Sequence, residues 1–346
     1  MNRYDLTVSD ISQETKDSVS VYFSIPDSLK DLFHWKAGQH IRLQLEVGEE
    51  LFTRNYSISS SKPEELKITV KKVKKGRVST YINEKLSIGE TVKVTQPNGN
   101  FILEPEQSKR RSHYFFTAGS GITPIYAMLT SVLENEANSF VYLLYGNKDG
   151  ASTIFSGELH QLEEKYSERL VIQHCHSSPS WFKSSPWRTG RVDDKAVQAF
   201  INENPPYAQD CQYYICGPDT FIPNVKSALK AIDVPDSRIH AEYFGLGKKT
   251  EVQGGMDADL QVELNGKKQQ LKVNAGESLL QAMLEAGISA PHSCEAGLCG
   301  TCQCKLVEGE VNMPNNSALE ESEVKSGIIL ACQAVPHSAA LKISYK

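Results

Sequence analysis

Three cysteines crowd one short segment. Cys294 is followed after four residues by Cys299 and after two more by Cys302, and Cys332 follows after 29 intervening residues. Four thiolates in this C-x₄-C-x₂-C…C order are what two iron ions bridged by two sulfides need, three from a tight loop and one from a returning strand. Gly297 and Gly300 lie inside the loop, where the backbone has to fold close around an inorganic centre without Cβ clashes. Structural zinc joins two short Cys/His pairs, which this spacing does not match. Cys304 falls outside the pattern and reads as a bystander, and Cys175 and Cys211 read as ordinary buried thiols. The chain has eight cysteines in 346 residues, too few and too unevenly placed for a disulfide scaffold. In a reducing compartment such clustering points to metal.

Other residue groups have the chemistry to hold nucleotides. In Arg54-Asn55-Tyr56-Ser57, expected just after a strand, the arginine can clamp a phosphate, the tyrosine can cover an aromatic ring and the serine can hydrogen-bond a ring nitrogen. Gly76-Arg77-Val78-Ser79-Thr80 opens a helix whose first amides and hydroxyls suit an anion. Together the two segments could hold the two ends of a flavin nucleotide. The Lys71, Lys72, Lys74 and Lys75 run reads as a solvated strand face. Gly119-Ser120-Gly121-Ile122-Thr123-Pro124 joins a strand to a helix, its glycines permitting close approach of a dinucleotide's phosphates, with Thr123 as N-cap and Pro124 at the first helical position. Cys216-Gly217-Pro218 ends a later strand, where ligands of parallel sheets sit.

The elements that position these groups change character along the chain. Up to about residue 105, segments 18–25, 40–47, 66–73 and 91–95 alternate or are β-branched, with turns between them and one helix over 78–86. That grammar predicts a small antiparallel barrel. From His113 a strand–helix alternation sets in: strands over 113–117, 140–145, 170–174, 212–216 and 239–244, helices over 124–134, 155–166, 193–202 and 219–232. This predicts a doubly wound parallel sheet. Residues 245–255, with four glycines, read as a linker. Beyond them Asn265-Gly266 marks a hairpin, and a helix over 278–286 stops at Gly287.

Composition narrows the classes. With 37 basic against 42 acidic residues the net charge is −5, which argues against sequence-independent nucleic-acid binding. No apolar run approaches the roughly 20 residues of a membrane-spanning helix, and no secretory signal opens the chain; a cytoplasmic location is expected. Residues 258–346 are the most acidic stretch, with 7 basic and 10 acidic residues and no arginine. Such a surface is a solvated face or a docking face for a basic electron partner.

With these motifs in order, the sequence resembles the ferredoxin–NADP reductase superfamily in its fused form with a C-terminal plant-type ferredoxin domain. Its layout is similar to reductase components of bacterial multicomponent oxygenases of the phenylacetyl-CoA epoxygenase type. Arg54 to Ser57 resembles the family's R-x-Y-S flavin motif, Gly119 to Pro124 its G-x-G-I-T-P motif, and Cys216 to Pro218 its C-G-P motif. Thr189-Gly190-Arg191-Val192-Asp193 and the stretch from Asn316 to Glu323 also look like the oxygenase subgroup.

The resemblance implies an FAD-binding β-barrel over residues 1–106 and an NAD(P)-binding α/β domain over 107–246. A linker over 247–257 and a β-grasp [2Fe–2S] domain over 258–346 follow. It implies that Arg54 pairs with flavin phosphate, Tyr56 packs on the isoalloxazine, Ser57 hydrogen-bonds its N5, and Gly76, Val78, Ser79 and Thr80 hold the pyrophosphate, with Asn55 part of the same motif. Gly119, Gly121, Thr123, Pro124 and Gly217 would line the nicotinamide nucleotide, and Cys216 and Glu242 would lie near the reacting rings. Phe244 matches the aromatic that covers the flavin where relatives end, but here the chain continues. Cys294, Cys299, Cys302 and Cys332 would ligate the cluster.

The activity so implied is transfer of hydride from NAD(P)H to FAD and of single electrons through the cluster to an oxygenase or other acceptor protein. The competing readings are a cluster-based redox sensor and a stand-alone electron carrier without NAD(P)H turnover. Intact Gly119, Gly121, Thr123 and Pro124 argue against the carrier. After the strand at 140–145 comes Gly146-Asn147-Lys148, with no acidic residue immediately placed for a ribose 2′-hydroxyl, and Lys148 could accept a 2′-phosphate. The lean is to NADPH.

Overall fold

The computed structural model describes residues 3–61, 65–178, 188–218, 220–244, 254–264, 266–288, 290–292, 295–297, 300–316, 318–319 and 321–345. The chain divides into two compact units, Met1–Glu242 and Tyr243–Lys346.

The first unit opens with strands β1 (Arg3–Thr15), β2 (Ser18–Ser24), β3 (His40–Val47), β4 (Glu50–Ser57) and β5 (Leu66–Lys71), helix α1 (Arg77–Glu84) and strand β6 (Thr91–Thr95). They form one six-stranded sheet in the order β4-β3-β6-β1-β2-β5. The chain past β4 returns to β5: Ile58 bridges Ile68, and Ser59 N donates to Lys67 O at 2.8 Å. The sheet thus curls until its two edges meet, the expected antiparallel barrel. Leu6, Val8, Val21, Ile41, Leu43, Ile68, Val92 and Val94 fill its interior.

Two of these strands carry no clear sequence signal. In β1 only Leu6 and Val8 are buried, and register shifts between Val8 and Asp10 and between Gln13 and Thr15 break the period-two pattern. In β4 Ser57 alone is buried. Arg54 to Ser57 therefore lies within a strand, not after one.

The second half of this unit runs β7 (Ser112–Ala118), α2 (Ile122–Asn135), β8 (Phe140–Asn147), α3 (Ser156–Lys165), β9 (Leu170–His176), α4 (Asp194–Glu203), β10 (Cys211–Gly217), α5 (Phe221–Lys230) and β11 (Ile239–Tyr243). The sheet order is β11-β10-β7-β8-β9, and β7 pairs in parallel with both β8 and β10. The chain steps outward from β7 to β9 and then restarts on the other side at β10. The crevice beyond the carboxyl ends of β7 and β10 is therefore the point where the strand order reverses, the ligand position of doubly wound sheets. Alternate β7 residues serve opposite helix layers: Phe115 joins the core of Ile125, Met128 and Leu129 on α2, while Phe116 meets the Phe200 ring of α4 edge-on at 6.2 Å.

The second unit contains β12 (Ala258–Leu264), β13 (Lys267–Val273), α6 (Leu279–Glu285), β14 (Gln303–Glu308), β15 (Val311–Asn312), α7 (Glu321–Lys325), β16 (Ile328–Leu330), β17 (Val335–Pro336) and β18 (Ala340–Ser344). Its main sheet has the order β13-β12-β18-β14-β16, with β12 and β18 parallel. Leu279, Leu280, Ala282 and Met283 of α6 bury against it. Ser278 caps α6, its hydroxyl accepting from Gln281 N at 3.2 Å. Leu264 pairs with Lys267 across the expected hairpin; Asn265 itself, Asp219, and residues 247–253 of the expected linker lie outside the described residues. No helix among the described residues is long and apolar enough to cross a membrane.

Candidate functional site

On β4, residues 54 and 56 project to one face and 55 and 57 to the other. Asn55 Oδ1 accepts from Arg42 Nε at 3.1 Å, and Ser57 is buried opposite His40. Arg54 and Tyr56 occupy the opposite face. Burial pushes the Tyr56 phenol well up, against the lowering pull of Arg54, so this ring is a neutral, largely apolar surface. Arg54 lies over the Phe52 ring at 5.6 Å, and Arg77, the first residue of α1, lies over the same ring at 4.6 Å. Arg77 also pairs with Glu50 at 2.8 Å and donates to Val47 O at 3.1 Å. Two guanidinium groups thus converge beside the start of α1, whose N-terminus has no side-chain cap. A Cβ on Gly76 would lie 2.3 Å from Val73 Cγ2 and 2.5 Å from Ser79 Oγ. Val78 and Ser79 are buried and Thr80 is half-buried. Two cations, an open helix N-terminus and a cradle with no room for a Cβ form a set that fits a diphosphate. Arg77 carries no sequence signal of its own, because its part depends on Phe52 of β4.

At the reversal point of the parallel sheet, Gly119–Gly121 forms a 3₁₀ turn and α2 begins directly at Ile122. Thr123 is therefore not the N-cap, and Pro124 is the third helical residue. Gly121 stands at the cap position without a side-chain hydrogen bond, and the Thr123 hydroxyl donates to Ser120 O at 3.1 Å. The physical reason is close packing. A Cβ on Gly121 would lie 2.2 Å from Cys216 O and 2.8 Å from Gly217 N, so the two loops touch backbone to backbone and the helix starts as soon as the glycines end. Gly119 has φ +56°, and Tyr145 donates its hydroxyl to Gly119 O at 3.1 Å. Thr117 donates to Cys216 O at 2.9 Å across the β7–β10 ladder. A Cβ on Gly217 would meet Phe221 Cδ1 at 2.8 Å.

Cys216 is fully buried. Burial raises its thiol well above the ordinary range and the nearby Glu242 charge raises it further, so it is a compact neutral group there, not a thiolate nucleophile. Glu242 lies on β11, the strand beside β10. Phe244 follows β11 and is 40% exposed.

Lys71, the last residue of β5, reads in the sequence as part of a solvated face. Instead a Cβ on Gly119 would lie 3.7 Å from Lys71 Nζ, so the barrel presents a cation to the glycine turn. Lys72 conforms better to that reading, pairing with Glu84 at 3.1 Å.

In the second unit Cys302 and Cys332 are 2% and 5% exposed in one core, and Ala331 N donates to Cys302 O at 3.1 Å. Cys294 and Cys299 lie outside the described residues. The loop between them is held at its described part: Asn315 Nδ2 donates to Ala296 O at 2.7 Å and Ala318 N to Gly297 O at 3.0 Å. Gly297 and Gly300 have φ +73° and +72°, and a Cβ on Gly297 would lie 2.5 Å from Asn315 O. Buried sulfur donors beside a loop too tight for side chains fit an iron–sulfur cluster. Cys304 shares this core. The β14–β18 register, Lys305 opposite Ser344, places Cys304 opposite the buried Tyr345.

Comparisons with known proteins agree with this division. Residues 5–102 match a family model described as an oxidoreductase FAD-binding domain, 115–227 an oxidoreductase NAD-binding domain, and 262–337 a 2Fe-2S iron-sulfur cluster binding domain. The chain is 32% identical over 348 residues to a component of the Escherichia coli 1,2-phenylacetyl-CoA epoxidase, covering 99% of this chain and 97% of that one. It is 34% identical to the ferredoxin reductase component of 3-ketosteroid-9-alpha-monooxygenase of Rhodococcus rhodochrous, covering 98% and 96%. Among solved structures, phthalate dioxygenase reductase superposes with a TM-score of 0.61 at 22% identity, covering 99% and 98%, and shares the fold.

Proposed function

The chain belongs to the ferredoxin–NADP reductase superfamily, in the branch of oxygenase reductase components that carry FAD-binding, NAD-binding and [2Fe–2S] domains on one polypeptide, and on that premise we propose that it reduces an oxygenase component at the expense of NAD(P)H. Bound FAD would supply the conversion of paired to single reducing equivalents, and a cluster held by the four cysteines would supply a one-electron site for their onward transfer.

The chain's own residues supply placement. Arg54 and the amides of Gly76, Val78, Ser79 and Thr80 hold the flavin diphosphate, with Arg77 as a second cation. Tyr56 covers one face of the ring system and the Ser57 hydroxyl is its hydrogen-bond partner, with Asn55 fixing β4 through Arg42. Gly119, Gly121, Thr123, Pro124 and Gly217 admit the nicotinamide nucleotide to the strand-reversal crevice, and Lys71 offers its phosphates a cation. Cys216, kept un-ionised, gives the crevice floor a small group that excludes water, and Glu242 stands next to it. Cys294, Cys299, Cys302 and Cys332 hold the cluster.

NADPH is the expected donor. Asp149, the first acid after β8, has its carboxylate occupied in capping the following turn, accepting from Ser152 N at 2.9 Å. Lys148 is exposed beside it. A cytoplasmic location accords with the cysteine-held cluster. The observation that carries the function is the contact of Gly121 with Cys216, which builds a nucleotide crevice in a chain whose second unit buries cluster thiols. Anaerobic addition of NADPH, or separately of NADH, to the holoprotein should bleach the flavin and cluster absorption, faster with NADPH; a spectrum that both donors leave unchanged would overturn the reading.

A further inference from the structure

Gln333, directly after Cys332, is 1% exposed. Its side-chain Nε2 lies 3.1 Å from Cys332 O, 3.3 Å from Glu295 O and 3.8 Å from Cys332 Sγ. Its Oε1 is buried with no partner among the described residues. A buried carboxamide left half-satisfied is costly, so its place requires an account. Packing agrees with the hydrogen bonds: a Cβ on Gly297 would lie 2.9 Å from Gln333 Cγ. Glu295, whose carbonyl takes one of the amide's hydrogens, is in the left-handed region at φ +54°, rare for a residue with a Cβ. One side chain therefore joins two segments that are far apart in sequence, the loop at 295–297 and the turn bearing Cys332.

We propose that Gln333 is a positioning residue of the iron–sulfur centre, its amide tying the loop to Cys332 and, through the contact with Cys332 Sγ, raising the reduction potential of the cluster. The inference rests on the cluster assignment made above. Its physics is differential stabilisation: a reduced cluster carries one more negative charge than an oxidised one, so an N–H aimed at a ligating sulfur favours the reduced form more. The amide has two hydrogens: one goes to the Glu295 carbonyl and the other is shared between Cys332 O and Cys332 Sγ, so the donor does not need to reorient when the charge changes.

The test is an anaerobic potentiometric titration of the holoprotein, following the cluster by electron paramagnetic resonance and the flavin by absorption. Gln333→Met keeps an unbranched side chain of similar size and removes the donor. The ratio of oxidised to reduced cluster at a fixed potential should rise at least threefold, about 28 mV for one electron, with the flavin midpoint unchanged. Should the Met variant not hold its cluster, Gln333→Asn, which withdraws the amide by one methylene, carries the same expectation. A wild-type midpoint in either variant with a full cluster overturns the proposal. So does loss of iron from both variants with flavin retained, since the residue would then hold the cluster and not tune it. A wild-type protein that takes up no cluster at all would instead overturn the cluster assignment.

Discussion

The ammonium of Lys67 lies 5.2 Å from the centre of the Phe155 ring, although Lys67 sits on barrel strand β5 and Phe155 immediately precedes α3 of the nucleotide-binding half. Tyr126 of α2 and Tyr22 of β2 complete the surround at 5.4 and 5.8 Å. Lys67 is 6% exposed, and the cation is desolvated by rings from both halves of the first unit. Cation–π contacts of this kind reach about 2 kcal/mol or more when desolvated. Lys67→Ala should lower the unfolding free energy of the first unit by roughly 2–3 kcal/mol, read from urea unfolding followed by flavin fluorescence. An unchanged midpoint would mean the cage contributes nothing to joining the two halves.

The missing Cβ of Gly121 makes a second prediction. Placed 2.2 Å from Cys216 O, a methyl group would push the glycine turn away from β10. Overpacking costs about 1–3 kcal/mol, and a displacement of about 1 Å at reacting groups costs of the order of 10²-fold in rate. Gly121→Ala should therefore keep its FAD while anaerobic flavin reduction by NADPH slows by about that factor in stopped flow.

How much of this is legible in the sequence follows the distance over which each feature is made. The cysteine spacing and the Gly119–Pro124 turn are local, and a few neighbouring residue types are enough to read them. The barrel and the parallel sheet are legible where strands are buried on alternate or both faces, as in Val19–Phe23 and Tyr114–Phe116. They are not legible in β4, whose residues before Ser57 are only half-buried or exposed because this strand faces the flavin site. Thr123 looks like a cap because its type and its proline neighbour suit one. The contact of Gly121 with Cys216, almost a hundred residues away, decides otherwise. Arg77, Lys71, Lys67 and Gln333 give no signal for the same reason, since each acquires its part only from a segment distant in sequence.

Lys71 is the cation nearest the glycine turn, and among the described residues no carboxylate pairs with it. Lys71→Met removes the charge and keeps the stem. The dissociation constant for NADPH should rise about tenfold, 1.4 kcal/mol, with a weaker dependence on salt, because an exposed charge interaction is screened over about 10 Å at 0.1 M. Binding measured by difference absorption at two ionic strengths decides it. Equal affinity at both would return Lys71 to a solvated face.

At the opposite end of the parallel sheet, Glu136 is fully buried. Burial alone would raise its carboxyl, but His113, Ser139 and the Glu106 amide donate to it, the first two at 2.9 and 2.6 Å, and hold it down at about 2. Arg111 Nη1 adds a contact at 3.1 Å. An ionised carboxylate only accepts, so His113 donates from Nε2. Since the folded value lies below the unfolded one, near 4.5, this stabilisation is fully present above pH 4.5. It is lost as the pH falls towards 2. Glu136→Gln should cost about 3–5 kcal/mol at pH 7, the range for breaking a buried pair. It should also flatten the acid limb of the stability curve between pH 4.5 and 2 in urea titrations. A variant with the same acid limb as the wild type would place the pH dependence elsewhere.

Removing the cluster separates the two halves of the reaction. Cys302 and Cys332 lie in the unit Tyr243–Lys346, whereas Arg54, Tyr56, Gly119, Gly121 and Cys216 lie in Met1–Glu242. Cys332 shares a core with Leu279, Met283 and Ile343 of its own unit. Cys332→Ser replaces a soft thiolate by a poor iron ligand. It should abolish the cluster's visible absorption while leaving flavin content and the rate of flavin bleaching by NADPH within about twofold of wild type, because the substituted residue belongs to a different compact unit from the flavin and nucleotide residues. Ferricyanide, which can draw electrons from the flavin directly, should still be reduced, whereas cytochrome c reduction should fall at least tenfold because single electrons no longer leave through the second unit. If cytochrome c were reduced at the wild-type rate, the flavin itself would be the exit point and the four cysteines would have no part in the electron path.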